Sequence, residues 1–507
     1  MFRRGLAAAT ISITLGCDGT ELMDTSGGSD ASSESSTGPL SSDTESTPGE
    51  STVTGASEDD GDTQTDDTGT PPTDDDPDRP TYYVAIDGDD RNPGTAEAPW
   101  GTLSYAATAI APGDLVLVGD GDYDEFVVIE ASGQPDARLS FRAETLHGAR
   151  VHGVLVLGSH VDIEALEVEA NLEAPTGIYV DAATFVTVKD CYVHDCPMGG
   201  IDVSGSTLDA LASDVTVVGN RIEHNGQWGI HVVGSRVRIE DNEVSRSVQH
   251  HPKGDPAWLT GQDADGLRIF GEHHTIVGNF IHDVADPADV EHNIDPHADC
   301  IQTWDRQHAG GRPVMTDTLI EGNRCIITHP SGKGIMMSAL GETPCHDIVV
   351  RNNVFEFRDE GIEASQGLFA NITVHNNVFK ANLDDSPWGV SFHLAPNASG
   401  YEFRNNIMVD CDAQARKIDS PDGVISHNLV WLSNGAQPAG TPGAQPNELW
   451  GVDPMFVDYD GSVGGDYRLQ PNSPAIDAGA ALTGVTDDHD GASRPQGAGH
   501  DIGAYER

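Results

Sequence analysis

The feature that most constrains this chain is an asparagine that returns eight times in one local setting, apolar-x-x-Asn-x-apolar or close to it. The eight are Asn220, Asn242, Asn279, Asn323, Asn353, Asn377, Asn406 and Asn428. A short strand of the form Gly-apolar-x-apolar follows most of them, as in Gly200-Ile201-Asp202-Val203, Gly229-Ile230-His231-Val232, Gly266-Leu267-Arg268-Ile269, Gly334-Ile335-Met336-Met337 and Gly361-Ile362-Glu363-Ala364. Cys300-Ile301-Gln302-Thr303 fills the slot with a cysteine, and Gly389-Val390-Ser391-Phe392 is the last of the series. Self-similarity at this spacing marks stacked repeats, each burying its apolar face against its neighbours. Strand side chains alternate, so the apolar positions face a core, and His231, Arg268, Gln302, Met336 and Glu363 are expected to face solvent. Asparagine suits the bend between strands, because its amide bonds backbone groups there and the next asparagine above it. The pattern predicts an all-β solenoid of parallel coils from about 116 to 430, with the eight asparagines on one inside line.

On these repeats the chain resembles the right-handed parallel β-helix proteins of the pectate-lyase-like superfamily, which includes polysaccharide lyases, polyuronate epimerases and pectin-degrading hydrolases. The resemblance covers about residues 81 to 507 and specifies fold far better than reaction. Thr102 to Ala111 reads as an amphipathic helix stopped by Pro112 and Gly113, which resembles the plug at the first coil of secreted members of this class. Asp89 and Asp90 nearby read as turn formers rather than a calcium site. Residues 81 to 433 are thus the β-helix with its N-terminal cap. The tail from 434 to 507, with Ser473-Pro474-Ala475-Ile476-Asp477 and Asp501-Ile502-Gly503-Ala504-Tyr505, resembles the closing segment of exported β-helix proteins and is expected to cap the last coil.

The first 80 residues explain part of the net charge of −55. Arg3 and Arg4 precede an apolar run from Leu6 to Gly16 that ends at Cys17, too short to span a bilayer and suited to a signal peptide. It resembles a bacterial lipoprotein signal, which implies lipidation of Cys17. Residues 18 to 80 are a Ser/Thr/Asp/Glu/Gly/Pro tract that cannot bury enough surface to offset its ordering entropy, so a disordered acidic tether is expected. The folded part is placed outside the cytoplasm, at the cell envelope or secreted, as a monomer. Such acidity argues against a nucleic-acid partner. Six further cysteines in an oxidising compartment allow bridges, with Cys191 and Cys196 the most plausible local pair and Cys325 in an inward slot filled elsewhere by apolar residues.

Spacing between ladder asparagines is about 22 to 29 residues in most of the series, but it is 37 from Asn242 to Asn279, 44 from Asn279 to Asn323 and 30 from Asn323 to Asn353. Extra loops inside a compact repeat are usually functional. Aligning the strands puts Trp228, Asp265, Asp299, Lys333, Glu360 and Trp388 in one column, with His231, Arg268, Gln302, Met336 and Glu363 in the next. The inserted loops add His250, His251, Lys253, Asp263, His292, Asp295 and His297, and Trp258 and Trp304 join Trp228 and Trp388 as sugar platforms or loop anchors. A ladder of alternating charge that does nothing is the plain alternative. Asp295-Pro296-His297 is similar to the Asp-Pro-His motif of the mannuronan epimerases, which implies His297 as a base with Asp295 beside it, although Ala298 stands where that family has an acid.

Together these residues suggest a lyase that breaks a uronic-acid polymer by β-elimination. A cation neutralises the sugar carboxylate, a base removes the adjacent proton, and an acid protonates the leaving oxygen. The expected assignments are Ca2+ on Asp263, Asp265, Asp295 and Asp299, a carboxylate grip by Arg268, and Lys333 or His297 as base. His231, Gln302, Glu363, Trp304 and Trp388 contact the polysaccharide. Lys333 is expected to be held protonated by the acids beside it unless a metal relieves their field. The excess of acid also disfavours a polyanion, so a neutral-glycan hydrolase using Asp265, Asp299, Glu360 and Glu363, an epimerase, or a non-catalytic glycan-binding adhesin are the alternatives.

Overall fold

The computed structural model describes residues 79–507 apart from 172–173, 248–263, 286–296, 306–312, 342, 383–388, 412–415, 419, 421 and 439–444. Cys17, the tether to residue 78, and His250, His251, Lys253, Trp258, Asp263, His292, Asp295 and Trp388 lie outside the described residues. Three parallel sheets of 13, 12 and 13 strands run the length of the molecule, and successive strands of the chain visit the three sheets in turn. The alternation Val/Ile/Leu-in closes one continuous core, from Val84 to Val430. The all-β solenoid expected from the repeats is what forms.

The asparagines are the inner corner of each coil. Asn279 is 1% exposed; its Nδ2 donates to Ile239 O at 2.9 Å and to Asn323 Oδ1 at 2.9 Å, and the Asn323 oxygen also accepts from the Asn279 backbone N–H at 2.9 Å. The same bonds repeat from Asn220 through Asn428. Cys191 N–H opens the ladder on Asn220 Oδ1, and the Glu448 carboxylate closes it on Asn428 Nδ2. The residue before each asparagine turns in the left-handed region, with φ of 52° at Asp241, 57° at Asn352 and 53° at Asn376, which suits Gly, Asn and Asp.

The strand-opening glycine also has a steric cause. A Cβ at Gly266 would sit 2.5 Å from the Ile281 side chain and 2.8 Å from Cys300 O, so that slot points into the core at a tight corner. Cys300 occupies the same slot one coil on, and Cys325 the register position of Ile281. The two form the disulfide of the described chain, while Cys191, Cys196, Cys345 and Cys411 are buried thiols. The pairing expected between Cys191 and Cys196 is therefore wrong, and Cys325 is not a plain thiol. Cys191 instead takes the ladder position above Asn220 and points its Sγ at Lys189 O, 3.4 Å away.

The N-terminal helix is Leu103–Ala109, capped by Thr102 Oγ1, which accepts from Tyr105 N, and it buries Leu103, Ala106 and Ala107 against the first coil. Asp90 accepts from Gly101 N, Thr102 N and Thr102 Oγ1, the turn role expected of it. The tail does not simply cover the last coil. Leu449–Trp450 adds a strand beyond Leu429–Trp431, and the rest folds back along the flank of the third sheet. There Phe456, Tyr467, Leu469, Ile502 and Tyr505 pack on the outward side chains of Val354, Val378, Ile407 and Leu429. Asn352, Asn376 and Asn405 of three successive coils donate to Asp487 O, Asp501 O and Ala480 O of the tail. Arg494 and Glu506 form a fully buried pair at 2.6 Å within it.

Candidate functional site

On the outer face of the second sheet, one row of side chains stays in register through nine strands. It reads Tyr179, Asp202, His231, Arg268, Gln302, Met336, Glu363, His393 and Lys417. Beside it runs Gly199, Trp228, Asp265, Asp299 and Lys333, with Glu360 next after Lys333 because Ile335 pairs with Ile362. The two columns foreseen from the repeats are thus adjacent, with two corrections. Glu360 pairs with Val390 and Glu363 with His393, so the strand Val390–Leu394 joins two residues later than alignment on Gly389 gives, and Val390 takes the column position after Glu360. The row also does not face open solvent: His231, Arg268 and Gln302 are 5%, 8% and 1% exposed.

These side chains bury each other to a large extent. The double inward step at Gly266-Leu267 and Cys300-Ile301 turns residues i and i+3 of each strand to the same side. Arg268 Nε consequently donates to Asp265 Oδ2 at 2.6 Å, and Gln302 Nε2 to Asp299 Oδ2 at 3.0 Å. The Arg268 guanidinium lies over the rings of Trp228 and Trp304, at 5.1 and 5.6 Å, which makes these tryptophans walls for a cation. Phe270 meets Trp304 edge-on at 4.7 Å. His231 Nδ1 lies 3.2 Å from Asp202 Oδ2.

Further along, Lys333 Nζ is 3.5 Å from Asp359 Oδ2 and 3.4 Å from Glu363 Oε2. Burial works against its charge, but Asp299, Glu363, Asp359 and Glu360 outweigh that and hold its pKa above the ordinary lysine value. That upward shift favours the ammonium form of Lys333 and tells against the role of base. Burial pushes the carboxyls of Glu360 and Asp359 up from the usual range, against the pull of His393 on the first and Lys333 on the second. His393 Nδ1 is 2.9 Å from Glu360 Oε1. His297 is exposed, immediately ahead of the strand Ala298–Trp304, and its carbonyl accepts from Ala264 N.

The calcium donors fare less well. Asp265 is 0% exposed, with Oδ2 on Arg268 and Oδ1 accepting from Asp299 N at 3.2 Å. Asp265 Oδ2 therefore already faces the Arg268 guanidinium, which repels a second cation at that carboxylate. Among the described residues no group of three or more His, Cys, Asp or Glu is arranged to hold a metal ion. Three residues around the site escaped sequence reasoning. Asp202 was legible, since it sits in the strand Gly200 to Val203 at the place His231 holds in the next. His393 was hidden by the two-residue slip, and Asp359 carries no repeat signal.

Residues 82–295 match the family model described as Pel9A-like, right handed beta helix region, and residues 212–408 match the right handed beta helix region. A curated relative, uncharacterized protein YwoF of Bacillus subtilis (strain 168), is 23% identical over 215 residues, which are 32% of this chain and 46% of that protein. The chain thus spans less than half the length of the curated relative it matches. Among solved structures, XylC in complex with xylose is 12% identical with a TM-score of 0.54, covering 84% of this chain and 98% of that one. Pectate lyase Pel9A is 18% identical with a TM-score of 0.48, covering 84% and 96%. At such identity the likeness is one of fold.

Proposed function

Since this chain is a right-handed parallel β-helix protein with a Pel9A-like region, we propose that it is an exported, glycan-active protein whose substrate lies along the outward row from Asp202 to His393. One observation carries the reading: a continuous line of acid, base and amide side chains, walled by Trp228 and Trp304, is assembled on the strands that flank the inserted loops. A structural ladder needs charges that alternate and bond in pairs. Here Asp202, Asp265, Asp299, Asp359, Glu360 and Glu363 outnumber Arg268, Lys333 and Lys417 among the described residues, and two of those carboxyls are pushed toward their neutral form.

That excess of acid favours a neutral glycan, because a polyuronate would meet like charge. Glycoside hydrolysis needs a protonated acid and an ionised carboxylate in different environments. Glu360 takes the first role, its pKa raised by burial and its carboxyl 2.9 Å from His393 Nδ1. Asp299 takes the second, in the field of the Lys333 ammonium that lies between them. Two coils separate these residues, roughly 10 Å of backbone. That leaves room for a sugar and an attacking water, the spacing of an inverting enzyme. The expected result is release of reducing ends from one member of a panel of neutral polysaccharides, with Glu360→Gln lowering turnover about 100-fold or more. Neutral polysaccharides left intact by the wild type would end this reading.

β-Elimination of a uronic-acid polymer is the second reading, favoured by the Pel9A-like match. In it Lys333 and Arg268 neutralise the carboxylate, His297 is the base and Glu360 the acid. Absorbance from new unsaturated uronates would mark it, and loss of that signal in a chelator would bring back a calcium site that includes Asp263 and Asp295. Export, lipidation at Cys17 and tethering by residues 18 to 80 belong to the same proposal, and mass spectrometry of the mature N-terminus tests them.

A further inference from the structure

At the N-terminal end of the row, four side chains of the outer face each keep a buried polar atom without a hydrogen bond among the described residues. They are Asp202 Oδ1, Trp228 Nε1, His231 Nδ1 and Gln302 Oε1. Trp228 is 8% exposed, Gln302 1%, and the Asp202 side chain 15%. Each unmet buried group costs about 1–3 kcal/mol, and native proteins keep few of them. Their orientations are fixed by other bonds. Gln302 Nε2 is held on the Asp299 carboxylate, so its oxygen must point away, since a flipped amide would set oxygen against oxygen. The second oxygen of Asp202 lies 3.2 Å from His231 Nδ1. The Trp228 indole lies flat over Gly199, where any Cβ would come within 2.1 Å of Nε1. Asp202 and Gln302 are three strands apart in the row, roughly 14 Å, with Trp228 in the neighbouring column between them.

We infer that Asp202 Oδ1, Trp228 Nε1 and Gln302 Oε1 form a recognition surface for a run of neutral sugar units of the glycan. The chemistry of the set decides the class of ligand. Asp202 Oδ1 and Gln302 Oε1 only accept, and Trp228 Nε1–H only donates. A sugar hydroxyl does both, so a run of about three sugar units, long enough to span roughly 14 Å, brings donors to the two oxygens and an oxygen to the indole. A carboxylate brings no donor and would meet the Asp202 charge. The subsite lies two to five coils from Glu360, so it reads sugars beside the cleavage point and does not take part in the bond-breaking step. This inference rests on the proposed glycan function and narrows it to chains with neutral units at that end.

The test is titration calorimetry on the full-length protein with hexaoses of β-1,4-linked glucose, xylose and mannose, and with hexagalacturonate and hexamannuronate. One neutral hexaose is expected to bind at least 10-fold tighter than either hexauronate. Trp228→Phe keeps an aromatic ring and Gln302→Met keeps the length, and each is expected to weaken that hexaose roughly 5- to 10-fold, one hydrogen bond's worth, with the melting temperature as the folding control. The inference is overturned if a hexauronate binds tighter, if no neutral hexaose binds and water alone fills the site, or if both folded variants bind like the wild type. Reducing ends assayed in the same samples separate the two claims. Cleavage with unchanged affinity in the variants sinks the subsite and spares the function. Affinity lost in the variants without any cleavage by the wild type does the reverse.

Discussion

Asn323→Ala tests how much of the solenoid's stability runs through the inner amide ladder. The side chain is 1% exposed and makes bonds on both sides. Its Oδ1 accepts from Asn279 N and Asn279 Nδ2, both at 2.9 Å, and its Nδ2 donates to Ile276 O at 2.8 Å, Glu321 O at 3.1 Å and Asn353 Oδ1 at 3.0 Å. Alanine removes all of these and leaves the Asn279 backbone N–H and the Ile276 carbonyl buried and short of a partner. Nothing apolar is large enough to close the gap, and water has no route to the coil interior. At about 1–3 kcal/mol for each stranded group, the change should cost about 3–5 kcal/mol. Asn220→Ala at the ladder's start strands Cys191 N–H and the Val188 carbonyl but leaves no second asparagine amide unsatisfied, so it should cost less, about 2–4 kcal/mol. Urea unfolding followed by circular dichroism gives both values, read as midpoints because a solenoid need not unfold in two states. A loss at Asn323 below about 1 kcal/mol, the scale of an ordinary surface change, would refute the ladder as a source of stability. So would a larger loss at Asn220 than at Asn323.

Other outcomes follow from the same geometry. Lys333→Met should destabilise by about 3 kcal/mol or more, because it strands partly buried carboxylates. Since the folded lysine pKa is raised, the contribution of Lys333 is complete below the unfolded value near 10.4 and fades only above it. The cost should therefore be flat between pH 6 and 9 by urea midpoint, and a loss that varies across that range would contradict the assignment. Asp501, fully buried in the tail, has its pKa pushed up to about 6 by burial first and Glu506 second. A raised carboxyl binds its proton more tightly when folded, so stability should fall by about 2–3 kcal/mol as pH rises from about 4 to 6. Asp501→Asn should flatten that stretch, and an unchanged slope would count against it. Peptide mapping without reduction should recover Cys300 joined to Cys325 with Cys191 and Cys196 as thiols, and a Cys191–Cys196 peptide would contradict the packing described.

The fold was readable because its determinants are local and repeat. A left-handed turn residue, an amide at the corner and alternate apolar side chains recur at each coil, and the eight asparagines do lie on one inside line. The column Trp228, Asp265, Asp299, Lys333 was readable for the same reason. The disulfide was half legible: Cys300 in a glycine slot and Cys325 in an inward slot were both visible, but only the corner geometry shows that the two slots face each other. Environment was not legible. Period two says that Arg268 and Gln302 point outward, and it cannot say that tryptophans and carboxylates then enclose them. His393 was missed because Gly389 offered a tempting register while the strand pairs two residues later. The tail was misplaced because its contacts with Asn352, Asn376 and Asn405 join residues more than seventy positions apart, which no repeat announces.

A crystal structure of the protein soaked with the tightest-binding neutral hexaose tests the central claim most directly. The account places the sugar chain along the outer face of the second sheet, with hydroxyls on Asp202, Trp228 and Gln302 and a glycosidic oxygen near Glu360. A chain bound on the first or third sheet, or at the tail, with the Asp202 to His393 row left to solvent, would contradict it.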